Sequence, residues 1–172
     1  MDGLACCKIC AHEEPLTSSL SVTDGHEGLL AAVKALFSAT PRQRCLVHKQ
    51  RNVLNAIPRR ERGEVQAELA GIWEQPSKGE ALAQLAAFKA KYSKRYPEAA
   101  RSLAEEEEKT FTFYDFPERL RRHIQTTNAI ESLFSNVRQR TDQIDVFTTE
   151  DSCLTIVWAT IQGIRFHTIA VG

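Results

Sequence analysis

The stretch IQTTNAIE at residues 124–131, followed by SNVRQR at residues 135–140, is the most informative part of this sequence. Apolar residues recur through it at the spacing of an amphipathic helix. The polar residues 126–128 just before this run are of the types that favour a helix start. The pattern therefore predicts a helix with Glu131 in its first turn and Ile130 facing the core.

A carboxylate in this position has two interpretations. The ordinary one is a capped helix with a solvated glutamate. The other is a metal ligand beside a phosphate backbone, because Arg138 follows Glu131 two turns along the same face and Arg140 comes just after it. Spacing alone leaves both interpretations open.

The block resembles the segment that carries the last catalytic carboxylate in mutator-type transposases of bacterial insertion sequences. Other motifs agree in order, namely VTDGHEGL at residues 22–29 and QRCLVHKQRNV at residues 43–53. The resemblance extends from about residue 20 to the end of the chain. It implies an Asp-Asp-Glu transposase in which Asp24 is the middle catalytic aspartate and Glu131 the catalytic glutamate.

The resemblance also implies a fold. We expect a mostly α protein with a small β remnant, the C-terminal part of a ribonuclease-H-like α/β core interrupted by an all-helical insertion. The corresponding division is an unmatched segment at 1–19, a partial core at 20–43, the helical insertion at 44–122 and C-terminal core helices at 123–172.

The first catalytic aspartate of the family has no evident counterpart in this sequence. Asp2 lies 22 positions before Asp24, too close for the strands and helix that the family places between its two aspartates. We therefore expect an N-terminally truncated copy that does not cleave DNA on its own.

The predicted metal is Mg²⁺ or Mn²⁺, held by Asp24 and Glu131 for DNA cleavage and strand transfer. Two such ions activate a nucleophile in line with the leaving oxygen, and Mg²⁺ prefers oxygen ligands. The alternative for Asp24 is a turn residue, because Asp-Gly is a common turn dipeptide.

Charge is balanced overall but clustered along the chain. The 22 basic residues equal the 22 acidic ones, so the chain as a whole does not attract DNA. Basic clusters flank the proposed carboxylates and favour phosphate contacts. The predicted DNA-binding residues are Arg44, Lys49, Arg51, Arg121, Arg122, Arg138 and Arg140. The expected partners are insertion-sequence ends, target DNA and a second copy of the chain.

The five cysteines do not form the pattern of a secreted disulfide framework. Cys45 and His48 are spaced as half of a zinc site, and Cys7 and Cys10 could supply the other half. The alternative is a buried thiol that packs as a small hydrophobic group and a histidine hydrogen-bonded to the backbone. Zinc is the less favoured cofactor, because the resembled family carries the Cys-x-x-His pair without an N-terminal cysteine cluster. If these four residues bind zinc, the rival function is a non-enzymatic zinc module that binds nucleic acid. A further rival is a helical self-association domain, in which the helical insertion mediates the contact.

Apolar runs in this sequence are shorter than the roughly 20 residues that span a bilayer. A signal peptide is not evident at the N-terminus either. We therefore expect no membrane partner and a cytoplasmic location.

Periodicity predicts the remaining elements. A strand is expected at residues 20–23, and one continuous acidic helix at residues 99–109. Ser77 begins another helix as its N-cap. Trp73 and Trp158 lie on apolar stripes and are expected in the core.

Overall fold

The computed structural model describes residues 20–163. The chain divides after Thr127 into two compact units, whose described parts are residues 20–127 and 128–163. The unmatched segment 1–19, including Cys7 and Cys10, lies outside the described residues.

The first unit is mostly helical. Short 3₁₀ turns at Arg59–Glu61 and Thr112–Asp115 separate some of its helices. Its described strands and α-helices are β1 (Ser21–Thr23), α1 (Glu27–Leu36), β2 (Arg42–Arg44), α2 (Leu46–Asn55), α3 (Arg62–Trp73), α4 (Lys78–Tyr92), α5 (Pro97–Ala104), α6 (Glu107–Thr110) and α7 (Glu118–Ile124).

The two strands form a parallel sheet in which Val22 lies opposite Gln43. A backbone hydrogen bond of 2.8 Å from the N–H of Cys45 to the carbonyl of Thr23 extends the pairing past the end of β2. Parallel strands require a crossover connection, and α1 supplies it. Sequence periodicity does not predict β2, because Arg-Gln-Arg contains no alternating apolar residue.

The hydrophobic core of the first unit lies in its helical segment. The predicted stripe of α3 is buried, including Trp73, which is 8% exposed. On α4 the buried residues are Ala81, Leu85, Phe88 and Tyr92. The Ser77 hydroxyl accepts a hydrogen bond from the N–H of Glu80, which confirms the predicted N-cap of α4.

Gln43 joins the sheet to the helical segment. Its buried side chain donates from Nε2 to the carbonyl of Thr110 at 2.9 Å. Its Oε1 accepts from the N–H of Phe113 at 2.8 Å. Because buried polar groups need partners, these bonds hold β2 against the turn that precedes α7.

The predicted continuous helix over residues 99–109 is wrong. The chain leaves the helical conformation between α5 and α6, where Glu106 has φ 52° in the left-handed region. Its carboxylate pairs with the guanidinium groups of Arg42 and Arg44, whose side chains are 12% and 10% exposed. These ion pairs with β2 hold Glu106 in a conformation that non-glycine residues rarely adopt.

The second unit contains α8 (Asn128–Thr141) and α9 (Glu150–Gln162) among its described residues. A capping box begins α9, since Thr149 Oγ1 accepts from the N–H of Ser152 at 3.1 Å and Ser152 Oγ accepts from the N–H of Thr149 at 3.4 Å. Within residues 20–163 the structure contains no helix long and apolar enough to span a membrane.

Two predictions of buried residues in the second unit are wrong. Ile130 of α8 is 53% exposed and Trp158 of α9 is 64% exposed. Val137 is the buried residue of α8, and the described part of α9 has none. Among the described residues, two helices packed together bury only a narrow stripe of each helix. Fewer of their apolar residues are therefore buried than the periodicity of the sequence indicates.

Candidate metal and nucleic-acid site

Asp24 follows directly after β1, where the chain leaves the sheet and turns toward α1. The carboxylate is half-buried, and its Oδ1 accepts a hydrogen bond of 2.9 Å from the N–H of His26. Gly25 between them has φ 87°. The arrangement is an Asx-type turn that holds one carboxylate oxygen in place and directs the group to the end of the strand.

Arg44 lies beneath this turn. Its side chain occupies the space next to Gly25 and comes within 3.7 Å of the Glu106 carboxylate through Nε. Arg44 is 8% exposed, so its guanidinium belongs to the interior of the first unit. The Arg44 guanidinium is therefore not presented at the surface, where a DNA phosphate could contact it.

Lys49 of α2 is buried, with 2% of its surface exposed. Its ammonium group donates to the carbonyl of Glu105, at the C-terminal end of α5. Burial, and to a smaller extent the nearby positive charge of Arg44, lowers the pKa of Lys49 to about 8. An ammonium directed into the protein in this way is not available to a DNA phosphate.

Cys45 and His48 lie together at the start of α2, with His48 Nδ1 3.3 Å from Cys45 Sγ. Cys45 is 0% exposed. Its sulfur accepts two hydrogen bonds from Thr127, one from the N–H and one from the hydroxyl, each at 3.3 Å. The sequence predicts the Cys45–His48 proximity, while Cys7 and Cys10 lie outside the described residues, so zinc binding stays a prediction.

Glu131 lies in the first turn of α8, as the sequence predicts. Its side chain is exposed, and the same helix carries Arg138 and Arg140 toward its C-terminal end, both exposed. Because Asp24 belongs to the first unit and Glu131 to the second, a shared metal site for the two stays a prediction.

The remaining predicted DNA-binding residues of the first unit differ in exposure. Arg51 and Arg122 are exposed. Arg121 is half-buried, and its guanidinium donates from Nε to the carbonyl of Phe116 at 3.0 Å and from Nη2 to that of Tyr114 at 3.2 Å. Arg121 thus ties α7 to the preceding turn, whereas Arg51 and Arg122 present their charge at the surface.

Sequence reasoning identifies Thr127 only as a candidate helix cap and does not connect it with Cys45. The two residues are 82 positions apart, and their contact depends on the tertiary structure. Glu106 is likewise found only in the structure, because its partners Arg42 and Arg44 are distant in sequence. A positive φ at a non-glycine residue has no clear sequence signal.

The strand-end aspartate, the Cys45–His48 pair and the helix-start glutamate all lie within the part of the chain that matches a transposase family. The sequence profile of the family described as "Transposase, Mutator family" matches residues 17–166. The chain belongs to the Mutator family of transposases.

Individual transposases of insertion sequences also match this chain. The chain is 40% identical over 122 residues to the transposase for insertion sequence element IST2 of Acidithiobacillus ferrooxidans, covering 71% of this chain and 41% of that protein. It is 36% identical over 140 residues to the transposase for ISRM5 of Rhizobium meliloti (strain 1021), covering 81% and 35%. The transposase for IS1201 of Lactobacillus helveticus is 32% identical over 138 residues, covering 80% and 37%. The chain thus spans between 35% and 41% of the length of these relatives.

Proposed function

We propose that this chain carries part of the catalytic site of a DNA transposase that acts on insertion-sequence ends and target DNA. The observation that carries the proposal is the family match, which includes Asp24 at the end of β1 and Glu131 in the first turn of α8. The crossover from β1 through α1 to β2 supports the proposal that this segment is a remnant of a ribonuclease-H-like core.

Asp24 and Glu131 are the residues that would hold Mg²⁺ or Mn²⁺. Carboxylate oxygens are the ligands these ions prefer, and Mg²⁺ keeps several waters, so few protein ligands are needed. Asp24 fits this role because the N–H of His26 holds its Oδ1 and so fixes the orientation of the carboxylate. A bound ion would supply activation of the nucleophile and stabilisation of the leaving oxygen.

Exposed arginines would hold the DNA backbone near the carboxylates. Arg51 and Arg122 of the first unit and Arg138 and Arg140 of the second are exposed, and phosphate contacts of this kind carry no base identity. We expect weak, largely non-specific DNA binding. Self-association of the chain, which is also expected from the sequence, belongs to the same proposal.

The polypeptide alone is expected not to cleave DNA. The resemblance implies three metal-binding carboxylates, of which Asp24 and Glu131 are the two that match residues of this chain. Loss of a metal ligand reduces activity far more than a change in its surroundings. Incubation with Mg²⁺ or Mn²⁺ and DNA that carries element ends should give no cleavage above background, and cleavage abolished by Glu131→Gln would contradict this expectation.

Mn²⁺ binding tests the metal ligands directly, without cleavage as the readout. Free Mn²⁺ is measured by electron paramagnetic resonance in the presence of the unaltered chain, Asp24→Asn and Glu131→Gln. Each variant is expected to bind at least about tenfold more weakly. Glu27→Gln is the matched control, because Glu27 is exposed in the first turn of α1, close in sequence to Asp24. Equal loss in Glu27→Gln, or no binding by the unaltered chain, would contradict the proposed site.

A further inference from the structure

The contact between Cys45 and Thr127 connects the start of α2 with the last residue of the first unit. The Cys45 sulfur is fully buried and accepts from both donors of Thr127 at 3.3 Å. A thiol that only filled space would need neither bond. The same sulfur atom is thus the hydrogen-bond acceptor for both the N–H and the hydroxyl of Thr127.

A second hydrogen bond runs beside the first. The N–H of Leu46 donates to the carbonyl of Gln125 at 2.9 Å. Backbone N–H groups in the first turn of a helix lack partners within the helix, so an external carbonyl is a natural acceptor for one of them. Two successive residues, Cys45 and Leu46, therefore hold the segment 125–127 at two points.

The segment 125–127 ends where α8 begins, because Asn128 is the first residue of that helix. Glu131 lies three residues further on, within the first turn. Thr127 is therefore the anchored residue that immediately precedes the helix carrying Glu131.

We propose that Cys45 is a positioning residue, which acts through Thr127 on the helix start that carries Glu131. The thiol accepts the two hydrogen bonds of Thr127, the N–H of Leu46 holds Gln125, and the chain enters α8 from this anchored segment. The role of Glu131 as a metal ligand in this inference rests on the proposed function, whereas the anchoring itself does not.

Amide hydrogen exchange tests the anchoring in the full chain. Cys45→Ala removes the acceptor of both bonds, and Thr127→Val removes only the hydroxyl donor. Exchange at the amides of Thr127 and the first turn of α8 is expected to speed up about threefold to tenfold in Thr127→Val, which loses one hydrogen bond, and by more in Cys45→Ala, which loses two. Exchange at buried core amides such as Leu69 and Leu103 should stay unchanged.

Three further variants make the result specific. Thr127→Ser keeps both donors and should restore slow exchange, while Cys153→Ala alters a half-buried thiol in α9 and should leave the segment unaffected. The double variant Cys45→Ala with Thr127→Val should exchange no faster than Cys45→Ala alone, because the two residues share the same bonds. Unchanged exchange at Thr127 in Thr127→Val would overturn the anchoring even if Cys45→Ala failed to fold.

Mn²⁺ affinity then separates this inference from the proposed function. Cys45→Ala and Thr127→Val should bind Mn²⁺ about threefold to tenfold more weakly, with Thr127→Ser close to the unaltered chain. Faster exchange with unchanged Mn²⁺ affinity would overturn the positioning role. If the unaltered chain binds no Mn²⁺, the proposed metal site fails, and the exchange experiment still decides whether Cys45 anchors the segment.

Discussion

The guanidinium group of Arg44 occupies the space that a Cβ atom would take at Gly25. Gly25 also has φ 87°, a conformation that residues with a side chain rarely adopt. Two independent features therefore require glycine directly after Asp24. The turn that presents the Asp24 carboxylate therefore packs against a buried arginine of the neighbouring strand, and this packing leaves no room for a side chain at residue 25.

Gly25→Ala should destabilise the first unit. The new methyl group must displace the Arg44 side chain, and the backbone conformation alone accounts for about 1–3 kcal/mol. The free energy of unfolding, measured by urea titration, is expected to fall by at least about 2 kcal/mol.

Gly63→Ala is the matched control for this change. A Cβ atom at Gly63 would meet nothing within 4 Å, and the residue lies in the first turn of α3. Alanine should therefore be neutral or stabilise the protein by up to about 1 kcal/mol. Equal destabilisation by both substitutions would show that the Arg44 contact does not distinguish Gly25.

Glu106→Gln tests the ion pairs that end α5. Removal of the negative charge leaves the buried guanidinium groups of Arg42 and Arg44 without their carboxylate partner. The free energy of unfolding should fall by about 2–3 kcal/mol, less than for a fully buried pair because 29% of the Glu106 side chain is exposed. Glu108→Gln, at an exposed position nearby, should change it by less than about 0.5 kcal/mol. A similar effect of both variants would contradict this role of Glu106.

Lys49 should make stability depend on pH in the alkaline range. Its pKa is about 8 in the folded protein and 10.5 ordinarily, so between these values the unfolded chain binds more protons. The free energy of unfolding therefore rises with pH across this window, by up to about 3 kcal/mol from this residue. Below pH 8 both states are protonated, and the contribution is constant.

The difference between the unaltered chain and Lys49→Met isolates this effect. Burial raises the pKa of Tyr92 and of Tyr114, but these groups titrate in both proteins and cancel in the comparison. Urea titrations from pH 7 to pH 10 should show a rise in the unaltered chain relative to Lys49→Met. If the free energy of unfolding changed with pH in the same way in both proteins, Lys49 would have to stay protonated throughout this range.

Elements with strong local signals could be predicted from the sequence. The stripe of α3 and the Ser77 cap of α4 follow from apolar spacing and the polar residue before it, and the structure confirms both. The helix start at Asn128, with Glu131 in its first turn, follows from the same kind of signal. These features depend on residues within a few positions of each other.

Features that depend on distant partners could not be predicted. β2 has no apolar alternation and is held by the side-chain bonds of Gln43 to Thr110 and Phe113. At the helix break, Glu106 pairs with arginines that lie more than 60 positions earlier in the sequence. The proposed metal ligands Asp24 and Glu131 follow only from the family resemblance, because a carboxylate in a turn or at a helix start is common.

Surface arginines should contribute to DNA binding through phosphate contacts. Arg122→Gln and Arg138→Gln are each expected to reduce the slope of log affinity against log salt concentration by roughly one, for duplexes of any sequence. Arg101→Gln is the matched control, since it removes the same charge from an exposed position on α5 outside the proposed contacts. Binding is measured by fluorescence anisotropy at several salt concentrations. An equal change of slope in Arg101→Gln would assign the effect to net charge alone, and tight binding to one short duplex would contradict a largely non-specific interaction.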